Sequence, residues 1–164
     1  MTKKVLDIHN LKIRFHTDQG TVHAVNGISH SISKGETIGI VGESGCGKSV
    51  SVLAVMRLLQ EPPARVSGSI LFNGIDLLKL SQSEIRNIRG REIAMIFQDP
   101  MTSLNPVFTV GMQLMEPLRV HLGLSETNAR KRAAELLKLV GIPKPMERLH
   151  DYPHQFSGGM RQRV

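Results

Sequence analysis

The stretch 36–59, ETIGIVGESGCGKSVSVLAVMRLL, decides how the rest of the chain is read. Its opening, Thr37-Ile38-Gly39-Ile40-Val41, is an apolar run of the length of a buried strand. It leads directly into Gly42-Glu43-Ser44-Gly45-Cys46-Gly47-Lys48-Ser49, which has the spacing G-x-x-x-x-G-K-[ST]. Beyond it the pattern predicts a helix with Val52, Val55, Met56 and Leu59 on one face and Arg57 off it. Gly42, Gly45 and Gly47 carry no Cβ, so the backbone can turn tightly and approach a polyphosphate. Its N–H groups then form a nest for phosphate oxygens, with the positive end of the helix behind them. In such a loop Lys48 neutralises charge on the β- and γ-phosphates and the Ser49 hydroxyl is a Mg²⁺ ligand. A glycine-rich turn can match this spacing by chance, but strand before and helix after favour a nucleoside triphosphate site. Gly42 to Ser49, with Val50 as the next helical residue, are the candidate nucleotide-binding positions.

On the N-terminal side, Leu11, Ile13 and Phe15 alternate with Lys12 and Arg14, as in a half-buried strand. Asp18-Gln19-Gly20 marks a turn, Val25 to Ile32 reads as a second strand, and Lys34-Gly35 turns the chain into the apolar run. On the other side, Pro62-Pro63 is expected to end the first helix. Gly68 to Gly74 reads as a short strand and turn. Ser81 and Glu84 have capping-box spacing for a helix reaching about Arg89. Ile93-Ala94-Met95-Ile96-Phe97 is another run of strand length, bounded by Gln98-Asp99-Pro100. Two helices follow, over Thr109–Leu122 and Ser125–Val140. Pro117 is expected to kink or interrupt the first. Ser125 suits the N-cap of the second, Gly141 its end, and Ala129, Ala133, Leu136, Leu137 and Val140 its apolar face.

The 164 residues give room for one domain with a core, or for part of a larger one. No apolar stretch reaches the length of a bilayer span, and the N-terminus shows no secretory h-region. A single cysteine, Cys46, excludes an internal disulfide and suits a reducing compartment. The net charge of +7 invites a nucleic-acid reading, yet the basic residues are scattered and aromatic content is 4%, too little for base stacking. The densest group, Arg130-Lys131-Arg132, falls on the polar face of a predicted helix. His9, His16, His23 and His30 recur every seven residues, but without an apolar heptad, and no structural metal is expected.

The last residues, Phe156-Ser157-Gly158-Gly159-Met160-Arg161-Gln162-Arg163-Val164, are a weak signal alone. Together with the phosphate loop and Gln98 at the end of an apolar run, they make the chain resemble the ATP-binding subunits of ABC transporters, whose signature reads L-S-G-G-Q. The resemblance runs from about Leu6 to the end. It implies that Gln98 is the Q-loop glutamine, touching Mg²⁺ and the attacking water and sensing a membrane partner. It implies that Ser157, Gly158 and Gly159 contact the γ-phosphate of ATP held by an opposite subunit. Phe15 stands where the family places an adenine-stacking aromatic, although a strand phenylalanine also suits a core. The implied fold is an α/β P-loop NTPase of ABC type. It has an antiparallel β subdomain, a partial parallel core sheet and an α-helical subdomain, divided as 1–98, 99–155 and 156–164.

The wording of 97–106, FQDPMTSLNP, of Glu116-Pro117-Leu118 and of Tyr152 to Gly159 resembles importers of dipeptides and oligopeptides, a group that includes nickel importers. The expected function is therefore an ATP-binding, ATP-hydrolysing subunit that powers peptide import, with Lys48 and Gln98 catalytic and Ser49 and Gln98 on the metal. ATP and Mg²⁺ are the implied cofactors. Expected partners are integral-membrane permease subunits, a second ATPase subunit sandwiching ATP and, indirectly, an extracytoplasmic solute-binding protein; nucleic acid is not among them. The expected place is the cytoplasmic face of the membrane, as a peripheral protein. No segment ends in the family's Asp-Glu pair and no switch histidine is recognisable, so the chain reads as truncated before the acidic (Walker B) strand and inactive alone. The rival readings are a nucleotide-binding fragment that does not hydrolyse and an ABC-type ATPase acting on nucleic acid.

Overall fold

Ile8 and Leu11 are three residues apart, a spacing that puts side chains on opposite faces of a regular strand. Both are nevertheless buried, as is Ile13. The strand reconciles this with an irregularity: pairing slips between Ile8 and Leu11 on one side and between His9 and Lys12 on the other, and Asn10 adopts φ 47°. This is the first strand, β1 (Lys4–Thr17), in a computed structural model that describes residues 3–97 and 103–164. The chain divides into two compact units, Met1–Arg89 and Gly90–Val164.

In the first unit, β1 turns at Asp18-Gln19 into β2 (Gly20–Ser33) and also pairs on its other side with β3 (Ala64–Phe72). A two-residue β4 (Ile75–Asp76) completes an antiparallel sheet of order β2-β1-β3-β4. Helix α1 (Lys48–Val55) lies between β2 and β3 in sequence. It buries Ala54 and Val55, followed by Met56, whereas Val52 stays exposed, against the face expected from spacing. The helix also ends before Pro62-Pro63. Arg57 takes φ 49°, and its guanidinium donates to the carbonyls of Leu77 and Leu80, which fixes the exit of the chain. A 3-10 turn, Leu77–Lys79, is capped by Asp76, whose Oδ1 accepts from Leu78 N–H at 3.2 Å. Helix α2 (Gln82–Ile88) has the expected reciprocal cap, Ser81 Oγ accepting from Glu84 N–H and Glu84 Oε2 from Ser81 N–H.

The second unit is helical. Thr109 caps α3 (Val110–Leu122), and Ser125 caps α4 (Glu126–Leu139). Pro117 sits inside α3 without ending it. Its position is exposed, so the carbonyl one turn back, freed by the missing N–H, can turn to water. Gly141, at φ 72°, terminates the α4 region as the spacing predicts. Short helices α5 (Pro145–Arg148) and α6 (Gly158–Arg163) follow. Val110, Ala133, Leu137, Ile142, Leu149 and Phe156 form the core, with Gly111 so close to Leu149 that a Cβ there would lie 2.5 Å from its carbonyl oxygen.

Two expected strands are absent. Residues 37–41 and 94–97 are not part of any sheet among the described residues, and Val41 and Ile96 are 93% and 92% exposed. Apolar content makes a stretch suited to a buried strand, but a strand exists only through a neighbour's N–H and C=O groups. No neighbouring strand lies beside either run among the described residues, so the parallel part of the expected sheet is not formed there.

Candidate functional site

The phosphate-loop candidates are gathered in one loop and helix start of the first unit. Gly47 is the N-cap of α1, with φ 94°. A Cβ at this position would run into the carbonyl oxygen of Ala24 and lie 3.2 Å from Val25 Cγ2, so β2 forms a wall that only glycine can meet. The helix then starts with Lys48, and Ser51 N–H donates to Gly47 O at 2.9 Å. Ser51, buried, donates its hydroxyl to Lys48 O at 2.7 Å and so ties down the first turn. The N–H groups ahead of that bond have no intrahelical partner and are available to an anion.

Lys48 Nζ donates to Gly42 O at 2.7 Å and to Glu43 O at 2.5 Å, and lies 3.4 Å from Cys46 Sγ. None of the ion pairs among the described residues involves this lysine. Its ammonium is therefore held over the loop by backbone oxygens, with no carboxylate paired to it among the described residues. Glu43, Ser44, Gly45, Cys46 and Ser49 are exposed, and Val50 is half-buried. A backbone cradle, an ammonium held over it by carbonyl oxygens and an exposed hydroxyl fit a Mg²⁺-bound polyphosphate. Phe15 is half-buried in β1, opposite Val22 and Ala64. It lies two residues beyond Ile13, whose partner is Val25, the residue that bounds Gly47. Gln98 falls outside the described residues.

Ser157, Gly158 and Gly159 lie in the second unit, at the start of α6. Ser157 Oγ accepts from Met160 N–H at 3.3 Å, and Ser157 O accepts from Arg161 N–H at 2.9 Å. The glycines are helical and exposed, and a Cβ at either would meet nothing within 4 Å among the described residues. The packing of the described residues therefore does not require a glycine at either position.

The same unit carries a concave surface of about 800 Å³ along α3, lined by Phe108, Met112, Met115, Val120, Glu116 and Arg119 among others. Phe108, Met112 and Val120 are exposed apolar residues there. The sequence hinted at it only through apolar residues that the α3 periodicity leaves outside the core.

Residues 25–164 match the family described as ABC transporter. The chain is 57% identical over 163 residues to the dipeptide transport ATP-binding protein DppD of Bacillus subtilis, covering 99% of this chain and 49% of that one. It is 54% identical over 162 residues to the oligopeptide transport ATP-binding protein OppD of the same organism, covering 98% and 45%. It thus spans about half the length of the curated relatives it matches. Among solved structures, the dimeric post-hydrolysis state of the ATP-binding cassette MJ0796 bound to ADP and Pi aligns with a TM-score of 0.80 at 26% identity, covering 96% of this chain and 66% of that one.

Proposed function

Because the chain belongs to the ABC transporter family, we propose that it supplies the phosphate loop and signature of an ATPase subunit that powers import of dipeptides or oligopeptides. The observation that carries this reading is Lys48, whose ammonium is held over the Gly42–Gly47 loop by the carbonyls of Gly42 and Glu43. Its charge is suited to the β- and γ-phosphates, and backbone N–H groups at the start of α1 are suited to their oxygens. The Ser49 hydroxyl and Gln98 are the residues proposed to hold Mg²⁺, which neutralises developing phosphate charge when bound. Phe15 is proposed to stack on the adenine.

Two such subunits sandwich ATP, with Ser157, Gly158 and Gly159 of one facing the nucleotide on the other's phosphate loop. The open space around Gly158 and Gly159 supports this, because helical glycines with no internal reason to be small leave room for something outside to approach. The dimeric relative with ADP and Pi supports it further. The apolar groove along α3 is a surface on which a permease segment can seat, consistent with a peripheral protein on the cytoplasmic face. No helix among the described residues is long and apolar enough to cross a membrane. The peptide cargo rests on the kinship to DppD and OppD. No Asp-Glu pair occurs in these 164 residues, and the proposed role of this portion of the subunit is to bind the nucleotide.

Lys48→Ala, introduced into the gene in its native host, tests the reading. Uptake of a labelled dipeptide should fall to background and binding of a fluorescent ATP analogue should be lost. Uptake at the unmodified rate would remove the assignment, and competition by nickel rather than by peptides would move the cargo.

A further inference from the structure

We propose that Arg163 is a positioning residue that fastens the signature turn to the carbonyl end of α4. Its Nε donates to Gly159 O at 3.2 Å, and its Nη1 donates to Val140 O and Gly141 O, each at 3.1 Å. One guanidinium therefore spans a carbonyl of the Ser157–Gly159 turn and two carbonyls just past α4. The last carbonyls of a helix lack intrahelical partners and carry the negative end of its dipole, so a cation with several fixed donors is well matched to them.

Gly141 completes the fit. It stands at φ 72°, and a Cβ on it would lie 3.0 Å from Arg163 Nη1. Gly141, two residues past α4, is thus small both for its own backbone and for the guanidinium laid against it. Arg163 and Gly141 are exposed, whereas Met160 in α6 and Val164 just after it pack against the core of the unit. Apolar contacts hold α6 in place, and the arginine sets the direction of its first turn. A lysine at 163 offers one compact ammonium instead of a planar set of donors and cannot reach both groups of carbonyls in the same way.

This inference rests on the reading that the turn meets a nucleotide on a second subunit. Arg163→Ala, Arg163→Lys and Gly141→Ala are made in the protein as its native source produces it. Two quantities are measured with a non-hydrolysable ATP analogue: binding to the separate subunit, and nucleotide-driven pairing of subunits by light scattering. Arg163→Ala should leave the first unchanged and require about tenfold more protein or nucleotide for pairing, the scale of one hydrogen bond from a charged group. Arg163→Lys should recover little of the loss, and Gly141→Ala should weaken pairing by pushing the Arg163 guanidinium off its carbonyls. Pairing by Arg163→Ala and Arg163→Lys equal to the unmodified protein would overturn this proposal alone. Unmodified protein that binds the analogue yet never pairs would overturn the functional reading, and this inference with it.

Discussion

Arg89 Nε donates to the carbonyl oxygen of Met56 at 2.7 Å, just past the end of the helix that begins with the phosphate loop. Its Nη2 also reaches Arg57 O at 2.6 Å. The segment that starts at Lys48 is therefore closed by a cation borrowed from the end of α2. Burial, then the nearby charges of Arg57 and Arg86, pull the Arg89 guanidinium below the usual arginine value. It remains protonated at any physiological pH.

Replacing Arg89 by Met keeps the aliphatic stem but removes both donors. The urea midpoint should fall by the equivalent of about 1–2 kcal/mol, the scale of hydrogen bonds from a charged group that is partly screened by solvent. Arg89→Lys should lose part of this. A midpoint equal to that of the unmodified protein would show that the clasp contributes nothing.

Gly47→Ala forces a side chain against the Ala24 carbonyl from a left-handed backbone. Strain of about 1–3 kcal/mol is expected, released by movement of the loop away from β2. Calorimetry with an ATP analogue should show binding lost or severely weakened while far-UV circular dichroism is retained. Unweakened binding would mean that the β2 wall does not set the loop.

Glu84 accepts from the Ser81 hydroxyl and from Ser81 N–H, and these bonds hold its carboxyl below the ordinary glutamate range. The folded protein thus binds this proton less readily than the unfolded chain. The resulting stability is complete above the unfolded-state value and is lost as pH falls through the lower folded value. Ser81→Ala should raise the Glu84 midpoint toward the ordinary range, read by NMR titration of its side chain. A midpoint that stays depressed would assign the shift to another cause.

Cys46 is exposed, with its sulfur 3.4 Å from Lys48 Nζ and close to Gly42. A maleimide on this thiol would fill the space over the loop, so labelling should abolish binding of the analogue. Saturating ATP should slow the labelling severalfold by covering the site. An unchanged labelling rate with ATP would place the nucleotide elsewhere.

What could be read from the sequence was what depends on neighbours along the chain. The helix start after Gly47, the caps at Ser81 and Ser125 and the stop at Gly141 are set within a few residues, and each is found where its spacing indicates. The runs at 37–41 and 93–97 carry the composition of buried strands, but pairing is a relation to a distant segment that composition cannot supply. The early end of α1 depends on Arg57 reaching Leu77 and Leu80, twenty or more residues away. Arg163 was visible only as part of a basic tail to the signature. Its two partners beyond α4 lie more than twenty residues back and share no pattern with it.

The position of β1 has a consequence for the order of folding. The first strand of the chain sits inside the sheet, and Leu6 must wait for Phe72 before its second edge is covered. The hairpin with β2 can close at once, at the small entropic cost of a short loop. The β3 pairing, whose innermost pair is Phe15 with Ala64, closes a much longer loop that contains the glycine-rich segment and α1. On a ribosome, the hairpin would be protected early, while the glycine-rich loop and α1 would become fixed only after the chain had emerged past residue 72. Pulsed hydrogen exchange should accordingly show the β1–β2 amides protected before those of β3 and α1.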